Sequence, residues 1–246
     1  MPSVSIVTAS LNASATIRAC LASIDAQRDC EHIVVDGAST DGTGAVVNAA
    51  ARPGRCLLSG PDGGLYDAIN KGIAAASGDI IGTLNADDRY PHAQVLDKVI
   101  DAFADPAIDV TYGDLVYENV DRRPVRRWRS GAYSAGLFYR GWMPPHPTFF
   151  VRRSAYERLG VFRTDLGTAA DYELMLRFLV KERVRVAYIP DVLVHMRTGG
   201  VSNRSLSARF RANRMDRAAW RVNDLAPRPW TLMMKPLRKL PQWLFR

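Results

Sequence analysis

Ile80-Ile81-Gly82-Thr83-Leu84-Asn85-Ala86-Asp87-Asp88 is an apolar, β-branched run that stops on two carboxylates. The run is too short for a helix and reads as a buried strand whose carboxyl end carries acid. Working outward, the same pattern recurs in Ile33-Val34-Val35-Asp36, while Val4 to Ala9 and Cys56 to Ser59 read as two further strands. Between them lie helical patterns. Ala13 to Ala26 places Ile17, Leu21 and Ile24 on one face, a second helix runs through Val46, Val47 and Ala50, and Leu65 to Ala76 closes at Gly78. Strands alternating with helices predict an α/β fold: a single Rossmann-like, mostly parallel sheet with helices on both faces. In such sheets ligands gather at the carboxyl ends of the strands.

The composition permits this. The chain has 246 residues, 47% of them hydrophobic, and 33 Lys and Arg against 25 Asp and Glu, for a net charge of +8. A chain of this size buries about 70% of its unfolded surface, enough for one core. No apolar run approaches the roughly 20 residues of a membrane span. Met1-Pro2-Ser3 offers neither a basic leader nor a cleavage site, so a cytoplasmic location is expected. Cys20, Cys30 and Cys56 are odd in number and unpaired in spacing, which fits thiols in a reducing compartment. The chain lacks G-x-x-x-x-G-K-[ST], G-x-G-x-x-G and G-x-S-x-G, leaving P-loop, dinucleotide and hydrolase-elbow chemistry without support.

The second half is less regular. Val95 to Phe103 is helical, Val110 to Tyr117 and Val125 to Trp128 read as antiparallel strands, and Arg129 to Pro147 is a loop rich in Gly, Pro and aromatic residues. Asp171 opens a helix from Tyr172 to Lys181, and Val184 to Ile189 is a last strand. From Asn203 arginines dominate. The composition therefore predicts a domain over residues 1–202 and a basic, amphipathic helical extension over residues 203–246. Its end carries Trp230, Leu232, Met233, Met234, Leu237, Leu240, Trp243, Leu244 and Phe245 among Arg228, Lys235, Arg238, Lys239 and Arg246. Pro236 and Pro241 divide it into short pieces, which either pack on the domain or lie in an anionic membrane surface.

Asp36, Asp87 and Asp88 are expected on two neighbouring strands at one sheet edge. Singly, they suit an Asx turn and a helix cap. Together they suit a hard divalent cation carrying a diphosphate.

Four segments in order carry a resemblance: Val4 to Asn12, Val34-Val35-Asp36-Gly37-Ala38-Ser39-Thr40-Asp41-Gly42-Thr43, Gly64-Leu65-Tyr66-Asp67-Ala68-Ile69-Asn70-Lys71-Gly72, and Asn85-Ala86-Asp87-Asp88. From Ser3 to about Arg197 the chain resembles family 2 glycosyltransferases. The resemblance implies the GT-A fold, a nucleoside-diphosphate sugar donor, most often a UDP-sugar, and Mg²⁺ or Mn²⁺. It implies that Asp36 binds the nucleobase, that Thr8, Ala9 and Ser10 underlie the nucleoside, and that Asp87 and Asp88 hold the metal. Asp67, Asn70, Lys71 and Asn85 fall in its donor-binding blocks, although the first three equally suit a polar helix face. The family often has Asp where this chain has Gly37 and Asn85. Thr168 to Arg177 resembles the segment whose acid, here Asp171, takes the acceptor proton, with Ala170 at the place of the usual Glu. Asp171 also suits a helix N-cap. His195 and Arg197 stand where relatives contact the metal or the donor phosphates, or are two polar residues of a surface loop. His146, Trp142 and Tyr139 form the expected acceptor wall.

The implied activity is metal-dependent, inverting transfer of one sugar to a hydroxyl of a cell-envelope glycan, with a glycan or glycolipid acceptor and an enzyme peripheral to the inner face of the membrane. The Q-x-x-R-W motif of polymerising members is absent, since the glutamines are Gln27, Gln94 and Gln242. The alternatives are a nucleic-acid-binding module or a non-catalytic sugar-nucleotide binder. No nucleic-acid motif accompanies the arginines, so no nucleic acid is expected.

Overall fold

The computed structural model describes residues 1–198, 206–238 and 242. The predicted boundary at Ser202, and Lys239, Leu240, Pro241, Trp243, Leu244, Phe245 and Arg246 of the tail, lie outside the described residues.

The first half runs β1 (Val4–Ser10), α1 (Ile17–Asp25), β2 (Glu31–Asp36), α2 (Thr43–Ala49), β3 (Arg55–Ser59), α3 (Leu65–Ala75) and β4 (Ile80–Thr83). These strands pair in parallel in the order β3-β2-β1-β4. Strand β1 therefore lies between β2 and β4, and the expectation that the acid-bearing strands are neighbours is corrected. Right-handed crossovers from a central first strand place the later strands on either side of it.

The second half runs α4 (Val95–Ala102), β5 (Val110–Glu118), β6 (Pro124–Trp128), β7 (Phe150–Arg152), α5 (Arg153–Leu159), α6 (Ala170–Leu176), β8 (Val186–Arg197), α7 (Leu206–Val222) and α8 (Thr231–Leu237). Antiparallel β7 joins β4 to β5, β6 pairs with the far end of β5, and β8 runs parallel to β5. Strand β8 is longer than its apolar run suggests. Val192, Val194 and His195 continue the ladder on β5 past Pro190. Asp171 lies inside α6, after an N-cap at Ala169, so it is a first-turn residue and not the cap.

Both sheet faces are buried, as a parallel sheet requires. Val7 and Ala9 pack with Ile69 and Ile73 of α3, whereas Val4 and Ile6 pack with Cys20 and Ile24 of α1 and Val99 of α4. Helix α3 comes so close that a Cβ on Gly72 would lie 2.2 Å from Val7 Cγ1. The arginine-rich helix α7 also enters the core. Its Ala219 and Trp220 are fully buried in the cluster that holds Tyr172 and Phe178 of the segment starting at α6.

Candidate active site

Ser10 and Asp36 end β1 and β2 side by side. The Asp36 carboxylate is buried and accepts from Ser10 Oγ at 3.0 Å, Ser39 Oγ at 2.5 Å, Ser39 N at 2.9 Å and Ser59 Oγ at 3.4 Å. It ties three strand ends together, as an Asx turn does. A Cβ at Gly37 would lie 2.6 Å from Asp62 Oδ2. Asp62 thus occupies space that an acid at position 37 would need. Thr8 is turned to a different task. His32 Nδ1 accepts from Arg55 Nε at 3.1 Å, so Nε2 carries the proton and donates to Thr8 Oγ1 at 3.0 Å. Burial, reinforced by Arg55 and Arg52, pushes His32 down to about 3 and keeps it neutral. Ala9, between these two residues, is buried with the α3 face.

The GLYDAINKG block is mostly local structure. Asp67 Oδ2 accepts from Gly63 N at 2.8 Å and meets Lys71 Nζ at 3.0 Å, which together hold its carboxyl below the usual range. Lys71 also donates to Pro61 O at 3.0 Å. Asn70 clamps a distant main chain, donating to Phe162 O at 2.8 Å and accepting from Phe162 N at 3.0 Å. Phe162 stacks on Tyr66 with centroids 5.3 Å apart, and His146 meets both rings edge-on at 5.5 and 6.1 Å. Asp171 acts electrostatically on His146 and on Tyr66, within hydrogen-bonding reach of the latter's hydroxyl. In the predicted acceptor wall, Trp142 is buried and donates to Ser130 O at 2.8 Å, so its indole is core.

The paired acids leave β4. Asp88 is buried; its Oδ1 accepts from Arg197 N at 3.1 Å and its Oδ2 from Asn85 Nδ2 at 3.3 Å. Asn85 therefore orients Asp88. Burial, then the neighbouring charge of Asp87, pushes the Asp88 carboxyl well above the usual range. Asp87 reaches solvent, yet desolvation raises its carboxyl too, opposed by a hydrogen bond from its own main chain and by the charge of Arg197. Two crowded oxygen donors raised in this way fit a hard divalent cation.

His195 is engaged through one ring nitrogen. Its Nδ1 lies 2.6 Å from Glu118 Oε1 and 2.9 Å from Arg89 Nη2, and Arg89 is bound to Glu118 at 2.7 and 3.3 Å. The main chains of Arg89 and His195 exchange two hydrogen bonds of 3.0 and 2.9 Å. Glu118 is thus a node tying the turn after Asp88 to the end of β8, where Arg197 meets Asp88. Among the described residues no cluster of three or more His, Cys, Asp or Glu forms a metal cage.

Asp171 Oδ1 accepts from Tyr172 N at 2.7 Å, and its carboxylate is half-buried. Tyr117, on β5, feels the charge of both Asp88 and Asp171. Burial raises its phenol, Arg126 opposes this, and Asp88 and Asp171 both add to it. The sequence alone does not mark Glu118, Arg89, Tyr66 or Tyr117 as site residues. Glu118 was within reach of the rule applied to Asp36, being an acid at the end of a strand.

A mixed sheet with acids at its carboxyl edge is a ligand-binding architecture, and the comparisons make it specific. Residues 5–160 match the family model "Glycosyl transferase family 2". An uncharacterised glycosyltransferase of Mycobacterium tuberculosis is 34% identical over 220 residues, covering 85% of this chain and 80% of its own. A PGL/p-HBAD biosynthesis glycosyltransferase of Mycobacterium bovis is 32% identical, covering 85% and 82%. Among solved structures, S. aureus TarS in complex with UDP-GlcNAc has a TM-score of 0.69 at 16% identity, covering 94% of this chain and 69% of that one. The mannosyltransferase PcManGT of Pyrobaculum calidifontis with GDP-Man and Mn²⁺ has 0.67 at 21%, covering 99% and 73%. The chain belongs to glycosyl transferase family 2 and has the GT-A fold. It is a nucleotide-sugar-dependent glycosyltransferase.

Proposed function

We propose that the chain transfers a single sugar, with inversion, from a nucleoside-diphosphate sugar to a hydroxyl of a cell-envelope glycan or glycolipid. The observation that supports this reading is the match to glycosyl transferase family 2, with the paired acids Asp87 and Asp88 following β4 and Asp171 in the first turn of α6. Asp87 and Asp88 would hold Mg²⁺ or Mn²⁺, which supplies Lewis-acid stabilisation of the departing diphosphate. The Arg197 guanidinium, with its planar donor fork, meets the same diphosphate. Asp36 and Ser10, with Ala9 beside them, form the bed of the nucleoside. Asp171 accepts the proton of the acceptor hydroxyl as that oxygen attacks the anomeric carbon and the bond to the diphosphate breaks. A single attack from the side opposite the leaving group inverts the anomeric centre.

A UDP-sugar is the first donor to test, because TarS was crystallised with UDP-GlcNAc; GDP-Man in PcManGT makes a GDP-sugar the second. The similarity to a PGL/p-HBAD biosynthesis glycosyltransferase supports a cell-envelope glycan or glycolipid acceptor. An acceptor held in lipid would be served by an enzyme at the cytoplasmic face of the membrane, attached through the basic segment after residue 203. No helix among the described residues is long and apolar enough to cross a membrane. The test is a thermal-shift panel of UDP-, GDP-, dTDP- and CDP-sugars with Mn²⁺, repeated in EDTA and with Asp88→Ala. One donor class should stabilise the fold, and both EDTA and the substitution should abolish that gain and the transfer. Full activity in EDTA would overturn the metal assignment.

A further inference from the structure

We infer that the outward face of α8 docks on an anionic lipid bilayer and so brings a lipid-borne acceptor to Asp171; the second part rests on the glycosyltransferase reading above. Trp230, Met233 and Leu237 are 49%, 70% and 53% exposed. Their spacing of three and four residues sets them in one line along the helix. The other exposed large apolar residues, such as Leu11, Leu58 and Val120, are scattered over separate elements.

The line cannot roll inward, because the back of α8 is fixed. Thr231 and Leu232 are buried, Thr231 Oγ1 donates to Tyr139 O at 2.8 Å, and Lys235 Nζ lies 2.6 Å from Asp216 Oδ2. Exposed Arg228 and Arg238 flank the line, and Arg214, Arg217 and Arg221 are exposed on neighbouring α7. Arg217 and Arg221 also border a groove of about 430 Å³ with Leu225 and Pro227. The acids there are engaged, Asp216 with Lys235 and Asp224 with Lys181.

Large apolar side chains ringed by cations match a surface that is negative outside and apolar just beneath, the headgroup boundary of an anionic bilayer. A nucleic acid gives Met233 and Leu237 nothing to enter. A two-fold contact with a second copy would set the same arginines against each other. Through its back, α8 also reaches the helix of Asp171. Lys235 Nζ sits 3.6 Å from the ring centroid of Tyr172, the residue after Asp171, and Trp220 Nε1 donates to the Tyr172 hydroxyl at 2.9 Å.

The test uses the full chain and flotation with vesicles of phosphatidylcholine, with and without phosphatidylglycerol. Wild type should float only with the anionic vesicles, and less as salt rises. The variant Trp230→Ser, Met233→Ser, Leu237→Ser should lose about tenfold or more in partitioning, as should Arg228→Glu with Arg238→Glu. Thermal midpoint and donor-induced stabilisation should match wild type in both. The proposal is overturned if wild type ignores anionic vesicles, if the variants float as it does, if duplex DNA is bound in their place, or if the triple substitution only dissolves a dimer. Loss of donor-induced stabilisation in wild type would sink the transferase reading instead, and flotation would still decide the docking face.

Discussion

Glu118→Gln removes one charge and almost no volume from the node behind the paired acids. Glu118 Oε1 receives Arg89 Nη2 at 2.7 Å and His195 Nδ1 at 2.6 Å, with side-chain exposures of 7% for Glu118 and 25% for Arg89. A hydrogen bond to a charged group contributes about 1.5–3 kcal/mol, and the partial exposure of Arg89 screens its share, so urea unfolding near neutral pH should show a loss of about 2–3 kcal/mol. The substitution should also act on binding. The Arg89–His195 bridge sits two residues before Arg197, whose N–H reaches Asp88 at 3.1 Å. Loosening it displaces Asp88 and Arg197 from one another, so donor KM should rise by about tenfold while kcat moves far less, the pattern of lost uniform binding. A double-mutant cycle with Arg89→Gln should return a coupling of about 1–3 kcal/mol. A stability loss below about 0.5 kcal/mol, with donor KM unchanged, would refute the node.

His32 makes acid stability a second test. Its folded value is about 3 against 6.5 for the free side chain, so the unfolded chain binds the proton more readily. That contribution is complete above pH 6.5 and is lost as pH falls from 6.5 towards 3, at about 1.4 kcal/mol per unit, or about 2 kcal/mol by pH 5. Urea titrations of His32→Asn should lack this slope, and a slope equal to that of wild type would contradict it. Asn70→Ala removes both bonds to the Phe162 main chain, and should cost about 2 kcal/mol in denaturant unfolding and lower turnover by freeing Tyr66 beside Asp171. Turnover equal to wild type would leave Asn70 a purely structural clamp.

What the sequence revealed was local in character. Ile80 to Leu84 followed by Asp87 and Asp88 marks a strand end whatever surrounds it. The partners of those acids are not local. The Asn85 amide meets Asp88, and His195 Nδ1 meets Glu118 on a parallel neighbour, and no local pattern announces either partner. Asn70 and Phe162 stand 92 residues apart, a distance no periodicity reports. In α7 the arginines masked a core stripe that was there to be read. Asp216, Ala219 and Trp220, with Asn223 just past the helix end, recur at three- and four-residue spacing and are all buried. Trp220 thereby meets the Tyr172 hydroxyl, and the helix after the predicted boundary supports the helix of Asp171.

The most direct measurement is the turnover of Asp171→Asn with the donor that the nucleotide panel selects. The change preserves shape and removes the only strong proton acceptor proposed opposite the leaving group. Turnover should fall by roughly 10²- to 10⁴-fold while the donor stabilises the fold as in wild type. Unchanged turnover would reduce Asp171 to a residue of the first helical turn and contradict the proposed chemistry.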